Sequence, residues 1–135
     1  GRWYHIAVVD NGSEMTIYID GNAEISVDSS SSKAINLGFY YNSPFAIGMS
    51  AADVRYFNGY VSEARVWKRA LTPTELKNNQ CYVDPTTAEG LIGYWRLDQV
   101  EDDGRTFADL SGNGYHGKAS SNPTWTGEIK CPVIE

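Results

Sequence analysis

Long apolar runs are missing from this chain: none approaches the about 20 residues that a membrane-spanning helix requires. Basic charge is scarce, with 11 Lys and Arg against 17 Asp and Glu and a net charge of −6. No basic stripe exists to neutralise phosphates, which argues against nucleic acid and against an anionic membrane surface as partners. Cysteine and histidine number two each. Cys81 and Cys131 lie far apart, without the close pairs and further Cys or His ligands of a zinc motif. His5 and His116 have no Ser or Cys nucleophile motif nearby. Paired carboxylates are also lacking: no Glu-x-Asp-x-Glu stretch could set two carboxyl groups about 5–5.5 Å apart for retaining glycoside hydrolysis. Glu63 stands alone, and Glu101-Asp102-Asp103 reads as a solvated acidic turn. The expectation is that this segment is not an enzyme. With neither an initiator Met nor a signal peptide, and a strand pattern from its first residues, the chain reads as a fragment of a longer protein.

What is present is a globular composition. The 135 residues are 41% hydrophobic and 21% charged, enough for one domain with its own core. Residues 3–9 alternate in period two, Asp10-Asn11-Gly12-Ser13 supplies turn residues, and Met15, Ile17 and Ile19 mark the next strand. Asp20-Gly21 is a strong hairpin signal, and Ala23 to Val27 returns, which predicts a three-strand antiparallel meander. Phe45-Ala46-Ile47-Gly48 and Tyr56-Phe57 read as short strands. From Tyr60 to Trp67 the alternation is ambiguous, as a bulge or a strand covered on both faces would make it. Thr72-Pro73-Thr74-Glu75 is a capping box with Pro in the first turn, predicting a short helix over about 73–79. Leu91 to Leu97 is one more strand. Many short strands, abundant turns and one helix point to an antiparallel β-sandwich.

Four stretches carry a resemblance. Arg2-Trp3-Tyr4-His5-Ile6-Ala7-Val8-Val9 with Thr16-Ile17-Tyr18-Ile19-Asp20-Gly21 resembles the middle of a laminin-G-like, concanavalin-type domain. Phe57-Asn58-Gly59-Tyr60-Val61-Ser62-Glu63-Ala64-Arg65-Val66-Trp67-Lys68-Arg69-Ala70-Leu71 resembles the segment that closes one. Gly90-Leu91-Ile92-Gly93-Tyr94-Trp95-Arg96-Leu97-Asp98, with Asp109-Leu110-Ser111-Gly112-Asn113-Gly114-Tyr115-His116-Gly117, is similar to the opening signature. The resemblance implies a concanavalin A-like jelly roll whose motifs run in shifted order. One account is a single sandwich over 1–135, truncated or circularly permuted, with closing motifs in 1–82 and the opening strand in 90–135. The rival account is two tandem domains, each cut through.

The same resemblance implies a module of an exported bacterial protein, extracellular, at the cell surface or periplasmic, with carbohydrate as the ligand class. In such a setting Cys81 and Cys131 read as a disulfide, against the alternative of two unrelated thiols. The alternatives for function are a structural or protein-adhesion module, or the accessory part of a glycoside hydrolase whose catalytic residues lie upstream.

Two clusters are candidates for a site. Sugar faces stack on aromatic rings while hydroxyls pair with amides, which singles out Tyr40, Tyr41 and Asn42, Tyr56 and Asn58, and Trp125. Trp3, Trp67 and Trp95 fall in strand motifs and read as core. Asp109 and Asn113, in a glycine-rich turn, read either as ligands for Ca²⁺, which members of the superfamily often hold, or as an Asx-type turn bonding its own backbone.

Overall fold

The computed structural model describes residues 2–30, 45–50 and 55–124. Tyr40, Tyr41, Asn42, Trp125 and Cys131 lie outside them.

Strands β1 (Ile6–Asp10), β2 (Glu14–Ile19) and β3 (Asn22–Asp28) form the expected antiparallel meander in the order β1-β2-β3. At the first turn Asn11 Oδ1 accepts from the N–H groups of Ser13 and Glu14 at 2.9 Å each. At the second, Asp20 and Gly21 both take positive φ, 49° and 75°, the conformation that a two-residue hairpin with right-twisting strands demands. The ladder begins at Ile6 and not at Trp3, because the His5 N–H is spent on the Asp20 carboxylate at 2.8 Å. Register opposes Val8 to Ile17 and Ile17 to Ile25, so one face carries Ile6, Val8, Ile17, Ile25 and Val27. That face is open, with Ile6, Val8 and Ile25 between 60% and 66% exposed. On the other face Thr16 is buried and bonds the Ser26 hydroxyl at 2.8 Å.

Strands β4 (Met49–Ser50) and β5 (Arg55–Tyr56) pair antiparallel. The strand expected at Phe45–Gly48 is displaced onto Met49, because Gly48 at φ 76° turns the chain and cannot continue an extended run.

Strand β6 (Ala64–Trp67) is half-buried throughout and leads to helix α1 (Pro73–Asn78). The capping box is complete: the Thr72 hydroxyl accepts from Glu75 N at 3.2 Å, and the Glu75 carboxylate accepts from Thr72 N at 2.7 Å. Arg69 grips the same carboxylate at 2.6 and 3.1 Å. Arg69 first, then Thr72, hold the Glu75 carboxyl down at about 2. After a connector, β7 (Leu91–Trp95) returns antiparallel to β6, matching Ala64 with Trp95, Arg65 with Tyr94 and Val66 with Gly93. A bulge between Val66 and Trp67 breaks the register, and residues 60–63 precede the strand, so the alternation over 60–67 is irregular. Closing and opening motifs thus share one ladder. The last pair, β8 (Thr106–Phe107) and β9 (Gly117–Lys118), is antiparallel as well. Among the described residues the buried apolar side chains are Leu71, Leu76, Val83, Leu91, Tyr94 and Trp95, all from the stretch carrying α1, the connector and β7. The architecture is antiparallel β with one short helix, in line with the sandwich expected from the sequence.

Candidate functional site

Three groups of polar or aromatic residues stand out, and two of them explain themselves as structure. The first surrounds Glu63, which sequence reasoning took as solitary. It is not: its carboxylate accepts from the Tyr94 hydroxyl at 2.5 Å and from Arg96 Nε at 3.3 Å, with an Arg65 nitrogen 3.9 Å away. Glu63 takes positive φ, 56°, and its N–H bonds the Arg96 carbonyl. Arg65 spends its guanidinium on the carbonyls of Glu63, Asn79 and Cys81, its carbon 5.5 Å over the Tyr94 ring. Burial, then the bond to Glu63, push the fully enclosed Tyr94 phenol well above its usual range. Here a carboxylate is fully engaged in joining β6 to β7.

The second group is the glycine-rich turn. Asp109 is 7% exposed, and its carboxylate accepts from Tyr94 N, Ser111 N, the Ser111 hydroxyl and Tyr115 N, all at 2.9–3.0 Å. Burial alone would raise its pKa; these donors outweigh that and hold it below the ordinary carboxylate value. Asn113 turns its amide N–H toward the Ile92 carbonyl and the Ser111 oxygen, at 3.2 and 3.0 Å. The pattern is an Asx turn pinned to β7; a cation at Asp109 would have to displace those donors. Among the described residues no three His, Cys, Asp or Glu side chains converge as metal ligands would.

The third group is an aromatic shelf at β4–β5. Phe57 N bonds the Gly48 carbonyl at 2.8 Å, which extends the short ladder and carries Tyr56 and Phe57 to the surface. Phe45, Tyr56, Phe57 and Tyr60 are each 60–68% exposed. The Phe57 ring lies over Gly59, where a Cβ would come within 2.7 Å of it, so only glycine admits that ring position. Phe45 stacks on Trp95, with ring centroids 5.6 Å apart. Trp95 in turn is 6% exposed and donates its indole N–H to the Tyr115 carbonyl at 2.8 Å. A shallow cleft of about 460 Å³ is lined by Gly48, Met49, Arg55, Tyr56, Phe57 and Val61. Exposed Asn58 makes no hydrogen bond among the described residues, so its amide is available beside the rings.

Of the residues singled out from sequence, Tyr56 lines this cleft, Asn58 is exposed two residues further on, and Asp109 and Asn113 lie apart, in the turn against β7. Trp95 is core, whereas Trp3 and Trp67 are half-buried. Phe45, Phe57 and Tyr60 were not read as site residues; the surplus of aromatics over what the strands could bury was the available signal.

An antiparallel fold of short strands with one short helix is that of the concanavalin-type modules. The Laminin_G_3 family, described as the concanavalin A-like lectin/glucanases superfamily, matches residues 1–77, and the chain belongs to it. The chain is similar in structure to a "putative carbohydrate binding protein" from Bacteroides ovatus, at 26% identity and a TM-score of 0.60, over 90% of this chain and 37% of that one. It thus spans little more than a third of that protein's length. It also matches an S-layer domain-containing protein from Clostridium thermocellum at 29% identity and a TM-score of 0.48, over 58% of this chain and 39% of the other. No curated protein matches. No helix among the described residues is long and apolar enough to cross a membrane.

Proposed function

We propose that the chain is a non-catalytic carbohydrate-binding module of an exported protein, and that the β4–β5 shelf is its contact surface. The observation that carries this reading is an open cleft lined by the exposed rings of Tyr56 and Phe57, with exposed Phe45, Tyr60 and Asn58 close by in sequence. Aromatic faces pack against the C–H face of a pyranose, and an amide both donates to and accepts from its hydroxyls. The Bacteroides ovatus relative, named for carbohydrate binding, supports the same ligand class. Glu63, whose carboxylate is engaged with Tyr94 and Arg96, supports the non-catalytic reading. The β6–β7 ladder, joining both groups of motifs, favours a single folding unit over two cut domains.

A second reading has its own support. The aliphatic face of β1–β3 is an apolar patch without convergent polar groups, which suits a structural or protein-adhesion module. A glycan array, repeated with Tyr56→Ala and Asn58→Ala, separates the two. Glycan binding lost in both variants supports the shelf. A clean negative from well-folded protein would leave the adhesion reading standing.

A further inference from the structure

We infer that the cleft between helix α1 and the connector to β7 is a second carbohydrate subsite, one that takes a neutral, vicinally hydroxylated sugar unit. The inference rests on the carbohydrate reading above but concerns a different part of the surface.

The cleft measures about 410 Å³, and its lining includes Trp67, Asn78, Asn79, Tyr82 and Glu89. That volume lies within the roughly 300–1,000 Å³ of small-molecule sites. Its walls are held by two arginines acting on backbone carbonyls. Arg65 bonds the Asn79 and Cys81 carbonyls at 2.6 and 2.8 Å, fixing the end of the helix. Arg69 bonds the Glu89 carbonyl at 2.8 Å while gripping Glu75, which ties the connector to the helix. Gly90, at φ 84°, leaves room for Arg69, whose Cγ would lie 3.1 Å from a Cβ there. Asp84 closes the connector's own turn, accepting from Thr86 N and its hydroxyl at 2.9 and 2.7 Å.

With the backbone secured in this way, several of the side chains lining the cleft are left over. Those of Asn78, Asn79, Tyr82 and Glu89 make no hydrogen bond among the described residues. Two amides, a phenol and a carboxylate offer both donors and acceptors, the mixed set that adjacent hydroxyls require. Tyr82 is 60% exposed and presents a ring for stacking. Charge sets the selectivity: Glu75, Asp84 and Glu89 line the cleft, and the one cation among its described lining residues, Arg69, is shared between Glu75 and Glu89. A uronate or sialylated unit would meet uncompensated negative charge, so the ligand is a neutral sugar.

Amide-resolved NMR titration of this chain with a panel of neutral oligosaccharides and a uronate oligomer tests the inference. The expected result is shifts at Asn78, Asn79 and Tyr82 with a neutral sugar and none there with the uronate. Tyr82→Ala should weaken that response about tenfold, as loss of one stacking contact does, and Asn78→Ala should weaken it too. Shifts at Tyr56 and Asn58 should be unchanged in both variants. Shifts confined to the shelf would overturn the second subsite and leave the proposed function intact. Cleft shifts that persist in both variants, or that appear equally with the uronate, would overturn it as well. Silence everywhere would overturn both readings together.

Discussion

The Tyr94 hydroxyl donates to the Glu63 carboxylate at 2.5 Å across 31 positions of sequence. Glu63 comes from a closing motif and Tyr94 from an opening motif, so this bond lies where the shifted order of the chain is reconciled. Both groups are largely enclosed, so removing the Tyr94 hydroxyl leaves one Glu63 oxygen without its donor, while the other keeps Arg96. Tyr94→Phe should cost about 1–3 kcal/mol, the usual penalty for an orphaned buried polar group. In a double-mutant cycle with Glu63→Gln, urea unfolding should report coupling of about 0.5–3 kcal/mol; additive losses would show that the two act independently.

Asp109→Ala should be the most damaging change in the glycine-rich turn. It would leave the N–H groups of Tyr94, Ser111 and Tyr115 without their acceptor, for a loss of about 3–5 kcal/mol by denaturant unfolding. Its folded pKa is depressed, so its contribution is complete above the ordinary value of 3.8 and is lost as pH falls through the folded value. Asp103, held at about 2 by the Thr106 hydroxyl first and then by the N–H groups of Arg105 and Thr106, acts in the same direction. Acid titration of the melting temperature should therefore fall more gently below pH 4 in Asp109→Ala than in the parent.

A separate acid-sensitive step should come from His5. Burial first, then Arg65, depress its folded pKa below 6.5, against the opposing pull of Asp20, and its Nδ1 is enclosed without a hydrogen-bond partner among the described residues. Stability from the neutral ring is complete above pH 6.5, declines as pH drops toward the folded value, and then levels off. His5→Gln should flatten the melting-temperature profile over that window. A profile unchanged by the substitution would remove His5 as its source.

Gly21 is fixed by two independent demands. It sits at φ 75°, and a Cβ there would collide with Lys77 Cγ and come 3.2 Å from Gln80 Nε2. The second hairpin turn therefore rests against the helix region, and Gly21→Ala should cost about 1–3 kcal/mol, combining backbone strain with crowding. Melting temperature measured by circular dichroism would check this. Thr72→Ala, which removes only the cap, should cost about 1 kcal/mol.

What the sequence disclosed was whatever local chemistry decides. Asp20-Gly21 dictates its hairpin and Thr72-Pro73-Thr74-Glu75 its capped helix, because each depends on residues within a single turn. Features requiring a distant partner were hidden. Glu63 read as solitary because Tyr94 and Arg96 stand 31 and 33 positions away. The strand placed on Phe45–Gly48 failed because a glycine's φ is invisible in its letter. Of the shelf, only Tyr56 and Asn58 were singled out in the sequence, because which aromatics stay outside depends on how the ladders fall. The polar cleft was not legible at all, since it exists only once Arg65 and Arg69 have drawn the helix and connector together.

The open aliphatic face of β1–β3 should leave a calorimetric trace. The heat capacity of unfolding follows the apolar area newly wetted, about 12–15 cal/mol/K per residue in ordinary domains. With Ile6, Val8, Ile25 and Val27 already more than half wet in the native state, melting has less left to expose. This chain should therefore unfold with a heat-capacity increment below that range and with a shallow urea dependence, since both scale with the same surface. Whatever later seats itself on that face would restore both, so calorimetry becomes a way to recognise its occupant.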